Sequence, residues 1–129
     1  MKIYAVADIH GKTERFDLIR ETAVTVEADC IVMAGDIAGC LTQKRSAAQI
    51  AKMPLPVLAV RGNSDRCAPE KTIWPTVSIS SLHLRKIDVG GVCFSGISGT
   101  CLLPFESRLR FRENRFYARV GSFFEDVAV

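Results

Sequence analysis

The chain has 129 residues, of which 48% are hydrophobic and 24% charged, and its formal net charge is +3. This composition is typical of one globular domain and excludes a chain that is disordered throughout. No apolar run approaches the roughly 20 residues of a membrane span. The apolar stretch after Lys2 is cut short by Asp8, which does not fit a signal peptide, so we expect a cytoplasmic protein.

Strands and helices are predicted to alternate over the first 65 residues. Apolar runs at residues 2–7, 29–34 and 57–60 predict three buried strands. A helix capped by Thr13 is predicted between the first two, and a second helix over residues 43–52. Continuously apolar strands that alternate with helices indicate a parallel sheet, whose ligands bind at the carboxyl ends of the strands. The polar residues at those ends are Asp8, His10, Asp36, Asn63 and Asp65.

The rest of the chain has a different pattern. Residues 82–88 alternate, Gly90 and Gly91 predict a turn, and residues 92–95 complete a predicted hairpin. Five arginines lie between residues 105 and 119, without strong periodicity. Residues 123–129 are interpreted as the start of a further strand.

The cysteines do not predict a disulfide framework or a structural zinc site. There are five of them, an odd number, and none forms a C-x-x-C pair. Cys30 and Cys93 lie in apolar stretches, where a thiol behaves as a small hydrophobic side chain. We therefore expect the protein to occupy the reducing cytosol.

The strand ends carry candidate metal ligands. Side chains two apart after a strand point to the same side, so Asp8 and His10 can converge on one cation. Asp36 follows the next strand, and a carboxylate between two cations can bridge them. Asn63 offers an amide oxygen to a metal, or its NH2 group to a phosphate. The alternative for each is an ordinary Asp, Gly-Asp or Asn turn after a strand.

Three successive strands thus end in polar groups of suitable type at one edge of one sheet. In order and spacing these are Asp8-x-His10, Gly35-Asp36 and Gly62-Asn63-x-Asp65. The set resembles the calcineurin-like metallophosphoesterases, and residues 95–100 and 104–108 are similar to a loop of some prokaryotic members. The resemblance implies an α/β fold, an αββα sandwich of mixed sheets, with residues 1–129 as a single domain of this type.

The resemblance also implies the ligands and the reaction. The Asp-x-His pair of the family binds the first metal, which implies Asp8 and His10. The Gly-Asp carboxylate bridges both metals, which implies Asp36, and Asn63 would bind the second metal and contact the phosphate. The implied cofactors are divalent ions (Mn, Fe, Zn or Ni), and the implied substrate is a phosphomonoester or phosphodiester, hydrolysed by a water that the two metals activate.

The chain departs from the family pattern at two points. Ser64 stands where members often have a histidine near the leaving group. The family also completes its metal shells with later histidines, whereas this chain has only His10 and His83. We interpret His83 as a strand residue and expect the sequence to be the N-terminal part of the family domain. The absent histidine ligands would then impair catalysis. An incomplete second sheet would leave apolar surface or an unpaired strand edge for another copy or a partner chain to cover.

Two alternatives stay open. The missing histidines favour a non-catalytic interaction module with the same fold, although the retained Asp8, His10 and Asp36 argue against it. The arginines between residues 108 and 119 could bind RNA phosphates. Because Glu106 and Glu113 are interspersed with them, a solvated face is the commoner reading, and we expect no nucleic-acid partner.

Overall fold

The computed structural model describes residues 1–67 and 79–98, together with Val120, Gly121, Phe123 and Glu125. The chain divides into two compact units, residues 1–99 and 100–129. The fold described below is that of the first unit. The arginine segment at 105–119 and the loop at 104–108 lie outside the described residues, and the single-domain assignment stays a prediction.

The first unit is a mixed α/β structure whose helices and strands follow the predicted order. In chain order they are β1 (Ile3–Val6), α1 (Thr13–Thr25), β2 (Cys30–Ala34), α2 (Gln43–Ile50), β3 (Val57–Val60), β4 (Ile79–Ser81), β5 (Lys86–Val89) and β6 (Val92–Ser95). A short 3₁₀ turn, Ser64–Cys67, follows β3. The residue before α1 is Lys12, and no side chain caps the helix, so the expected Thr13 cap is absent.

The strands form two sheets. The first sheet has the order β1-β2-β3-β4, and all its neighbouring strands are parallel. The second is an antiparallel pair of β5 and β6 joined by the turn at Gly90 and Gly91. The predicted parallel sheet and hairpin are confirmed. Since parallel strands end at one edge of a sheet, the loops after β1, β2 and β3 lie side by side.

Each face of the first sheet carries its own apolar cluster, because successive strand residues point to opposite faces. Alternate residues of β2 and β3 pack with α1 and α2; among them are Ile31, Met33, Val57 and Ala59. The other face packs against the hairpin; its members include Cys30, Leu58, Leu82, Ile87 and Phe94. Layers of helix, sheet and hairpin thus confirm the sandwich-like fold, with a second sheet of two strands within the described residues.

Three expectations about the later part of the chain need correction. Strand β4 was not predicted, because it has only three residues and two of them are serines. The predicted strand at 82–88 is wrong over its first half, since the Leu82 N–H still bonds to Ala59 of β3, directly after β4, and β5 begins only at Lys86. The expected strand start at residue 123 is also wrong: Phe123 and Glu125 are helical.

The cysteines differ from the expectation in one place. Cys40 takes part in a disulfide, whereas Cys30 and Cys93 are free thiols. Cys40 lies in the exposed loop after β2, and sequence spacing does not show which distant cysteine such a loop can reach. Burial, and to a smaller extent Asp29, raises the pKa of the Cys30 thiol, so this cysteine is a poor nucleophile. Within the described residues, no helix is both long and apolar enough to span a bilayer.

Candidate metal centre

Backbone hydrogen bonds join the loops that follow β1 and β2. The N–H groups of Asp8, His10 and Gly11 donate to the carbonyls of Gly35, Asp36 and Ile37, at 3.3, 2.8 and 2.8 Å. The two loops therefore run side by side in a fixed register. This register places the side chains of Asp8, His10 and Asp36 next to one another, as the sequence predicts.

These three side chains form a compact set of donors. One ligand atom from each of Asp8, His10 and Asp36 lies within 4.8 Å of the others, and His10 Nε2 lies 3.7 Å from Asp8 Oδ1. The Asp8 and His10 side chains are 72% and 46% exposed, so a ligand can reach them from solvent. Two carboxylates beside one imidazole are a donor set that suits a divalent transition metal.

The backbone at these donors is held in an uncommon conformation. Asp8, His10 and Asp36 have φ values of 56°, 55° and 51°, in the left-handed region that costs a non-glycine residue on the order of 1 kcal/mol or more. The backbone bonds between the loops compensate for this cost. Glu27 and Leu84 are the other non-glycine residues with positive φ, so the three donors make up most of this set in the described residues. Strain held by surrounding hydrogen bonds is common at functional sites.

Close packing of two glycines brings the loop after β3 to the same place. A Cβ on Gly35 would lie 3.0 Å from both N and Cα of Gly62, and a Cβ on Gly62 would overlap the Asp36 carboxylate. Only glycine at both positions allows the approach. Asn63 follows directly and is exposed. It lies between Gly62 and Ser64, which both contact Asp36.

Ser64 binds the carboxylate that is expected to bridge two metals. Its backbone N–H and its hydroxyl both approach Asp36 Oδ1, at 2.8 and 2.9 Å. The hydroxyl also lies 3.1 Å from the Ala38 carbonyl, so its single proton serves one of two acceptors. Partial burial would raise the pKa of Asp36, but the Ser64 hydrogen bonds and the nearby His10 together hold it below its usual value. Asp36 is thereby kept ionised, the form that a cation needs.

Asp65 anchors these loops, a role that the sequence did not reveal. It is only 4% exposed. Its Oδ2 accepts the N–H groups of Gly62 at 2.9 Å and Ile37 at 3.2 Å, and its Oδ1 accepts that of Ala38 at 2.7 Å. The carboxylate thus joins the loop after β3 to the loop after β2. The only sequence signal was its position two residues after Asn63.

Cationic side chains flank the donor cluster. The Arg15 guanidinium donates to the Asp8 carbonyl, and Arg45 Nη2 donates to the Gly11 carbonyl at 3.4 Å. Both arginines belong to the first turns of the helices that begin at this edge of the sheet. They add positive charge beside a cluster that carries two carboxylates.

His83 is separate from the donor cluster. Its Nδ1 accepts the N–H of Ser98 at 2.9 Å, and it pairs with Gly96 in an isolated β-bridge. His83 thus lies between β4 and β5, outside both strands, and not within a strand as expected. Of the two histidines in the chain, His10 is the one that meets Asp8 and Asp36.

Comparison with known proteins agrees with this arrangement. One solved crystal structure is 13% identical, with a TM-score of 0.67 over 93% of this chain. The match covers 63% of that longer chain and supports the fold alone. No curated protein matches the chain. The sequence profile of the calcineurin-like phosphoesterase superfamily domain matches residues 1–96, which include all the strands that the structure describes and the helices α1 and α2. The chain therefore belongs to the calcineurin-like phosphoesterase superfamily.

Proposed function

We propose that this chain binds divalent metal ions and hydrolyses phosphoesters. The observation that carries the proposal is the convergence of Asp8, His10 and Asp36 in a chain of the calcineurin-like phosphoesterase superfamily. Two carboxylates that converge beside an imidazole have little purpose in an ordinary turn, since like charges repel unless a cation joins them.

The position of each candidate ligand suggests which of two cations it would bind. Asp8 and His10 would hold one cation, Asp36 would lie between two, and Asn63 would hold the second. When bound, the metals would polarise a phosphoryl oxygen and lower the pKa of an attacking water. The Asn63 NH2 group would donate to a phosphate oxygen. Arg15 and Arg45 favour the approach of an anionic substrate.

The site offers little help to the leaving group. Ser64 has a weakly acidic hydroxyl whose proton is directed to Asp36 or to the Ala38 carbonyl. It is therefore a poor general acid. Esters whose leaving groups need no protonation, such as p-nitrophenyl phosphates, should be the best synthetic substrates.

The test is hydrolysis of bis(p-nitrophenyl) phosphate and p-nitrophenyl phosphate with Mn²⁺, Co²⁺, Ni²⁺ or Zn²⁺. We expect a rate that depends on one of these metals and falls by about a hundredfold or more in His10→Ala. Asp88→Ala, which changes an exposed residue of β5 beside the hairpin turn, is the matched control and should keep the rate. No hydrolysis with any of the four metals would reject the proposal.

A non-catalytic interaction module with this fold is the second candidate. It is favoured by the histidines, because only one of the two in the chain lies in the donor cluster. Elemental analysis of the purified protein separates the candidates. Tightly bound stoichiometric metal is expected of the phosphoesterase, whereas a metal-free protein that binds none on titration is expected of the module.

We also propose that a second copy covers an apolar edge of the first unit. Met1, Ile3 and Val92 are 51%, 48% and 39% exposed. Met1 lies against the β5–β6 turn at Gly90, so these side chains lie near the edge where β1 and the hairpin meet. Light scattering should show a dimer that Ile3→Lys dissociates and that Leu18→Lys, on the exposed side of α1, does not. A monomer at high concentration would exclude it.

A further inference from the structure

The segment that follows β6 contacts the loop that carries Asn63 at a defined point. The Ser98 hydroxyl accepts the backbone N–H of Arg61 at 3.0 Å. Arg61 directly precedes Gly62, which packs on Asp36 and donates its own N–H to Asp65. The hydrogen bond from Arg61 to Ser98 thus restrains the first residue of this loop, two positions before Asn63.

Ser98 is in turn held by His83. The backbone N–H of Ser98 donates to His83 Nδ1 at 2.9 Å. A ring nitrogen that accepts a hydrogen bond carries no proton, so in this contact Nδ1 is the acceptor nitrogen of the ring. Both side chains are half-buried, which strengthens a hydrogen bond relative to one in bulk water.

The backbone around His83 is fixed on both sides. The N–H of Leu82 donates to the Ala59 carbonyl of β3 at 2.9 Å, and the N–H of Leu84 donates to the Gly96 carbonyl at 2.9 Å. The imidazole therefore projects from a segment attached to both sheets. A side chain on such a rigid base can set the position of the loop at Ser98.

We propose that His83 is a positioning residue for the Asn63 loop, acting through Ser98 and the backbone of Arg61. The inference rests on the proposed function, since it concerns a ligand of the proposed metal site. Outer groups that orient metal ligands typically change metal affinity by 10- to 100-fold when they are removed. His83 would act in this way without touching metal or substrate.

The key substitutions are His83→Asn and His83→Gln. The Asn carboxamide oxygen can take the place of Nδ1 and accept the Ser98 N–H. The Gln carboxamide lies one carbon further out and leaves that position without an acceptor. Both variants are polar and lack the ring, so a difference between them isolates the Nδ1 hydrogen bond from general loss of packing.

The first measurement needs no metal and no activity. Hydrogen exchange of the Arg61 and Asn63 backbone amides is followed by NMR in the metal-free protein. We expect exchange at Arg61 to accelerate about tenfold in His83→Gln, the effect of losing a hydrogen bond worth about 1 kcal/mol or slightly more. In His83→Asn it should stay within about threefold of the wild type. Equal exchange in all three proteins overturns the proposal.

The second measurement is Mn²⁺ affinity by calorimetry. His83→Gln should bind about tenfold more weakly than the wild type, and His83→Asn should bind nearly as well. Ser98→Ala removes the acceptor of the Arg61 N–H and should match His83→Gln. Because the residues act in series, the double variant should be no worse than either single variant. If the losses of Mn²⁺ affinity in the two single variants add up in the double variant, His83 and Ser98 do not act through one another.

The two proposals can fail separately. A wild-type protein that binds no Mn²⁺ ends the proposed function, while the exchange experiment still decides whether His83 holds the loop. A wild type that binds Mn²⁺, with His83→Gln unchanged in both exchange and affinity, ends the positioning role alone.

Discussion

Two regions of the first unit reach the metal-ligand loops, and they are built differently. Within the first sheet, the loops are joined by backbone hydrogen bonds and by the buried Asp65 carboxylate. From the second sheet, the attachment passes through the half-buried side chains of His83 and Ser98. We expect the backbone and Asp65 hydrogen bonds to hold the loops together, and the His83 and Ser98 hydrogen bonds to have a smaller effect on the position of the Asn63 loop. Substitutions in the two regions should therefore differ in the size of their effects.

The largest effect is expected from Asp65→Asn. The carboxamide keeps the shape, but its NH2 group would face backbone N–H groups that now donate to a carboxylate oxygen. Leaving such donors without an acceptor in a buried site should lower the free energy of unfolding by about 3 kcal/mol. Urea unfolding of the metal-free protein measures the loss.

Asp88→Asn is the control for that experiment. Asp88 also accepts a backbone N–H, that of Gly91 at 3.2 Å, but in an exposed turn. Its substitution should change the free energy of unfolding by about 0.5 kcal/mol or less. Similar losses of unfolding free energy in Asp65→Asn and Asp88→Asn would show that the buried Asp65 carboxylate stabilises the fold no more than an exposed one.

Gly62→Ala should have the next largest effect. The new Cβ would overlap the Asp36 carboxylate and displace it from the donor cluster. We expect Mn²⁺ affinity to fall by about tenfold or more. Gly91→Ala is the matched control: it strains a glycine with a φ of 78°, and its Cβ meets nothing within 4 Å. It should leave Mn²⁺ affinity unchanged, and equal losses would speak against the close packing at Asp36.

Ser64→Ala should have the smallest effect and depend on pH. The Ser64 hydroxyl helps to lower the pKa of Asp36, and a carboxyl group whose folded pKa is depressed stabilises the fold above its unfolded pKa. Removing the hydroxyl should lower the free energy of unfolding of the metal-free protein by about 1 kcal/mol at neutral pH. The cost should shrink as the pH falls through the folded pKa of Asp36.

The pH dependence of Ser64→Ala is tested by measuring the free energy of unfolding at neutral and at acid pH. Ser80→Ala is the control, since Ser80 is an exposed residue of β4. If Ser64→Ala lowers the free energy of unfolding by the same amount at every pH, the hydroxyl does not act through the ionisation of Asp36.

Much of the first sheet could be predicted from the sequence, because apolar runs and helical stripes report burial directly. The positions of the candidate ligands followed from the same pattern, since Asp8, His10 and Asp36 lie where parallel strands end. The left-handed backbone of these residues was not visible, because only the contacts between their loops impose it.

The contacts between distant segments could not be predicted. Asp65 binds N–H groups 27 and 28 residues away, and no local pattern distinguishes it from an ordinary turn residue. The bond between His83 and Ser98 spans 15 residues and depends on where β5 begins, which the alternation misplaced.

The most direct test of the account is calorimetric titration of Mn²⁺ into the metal-free wild-type protein and into Asp36→Ala. We predict saturable binding to the wild type and a loss of affinity of about a hundredfold or more in the variant. Absent binding, or equal affinity in the two proteins, would contradict the claim that Asp8, His10 and Asp36 form a metal centre.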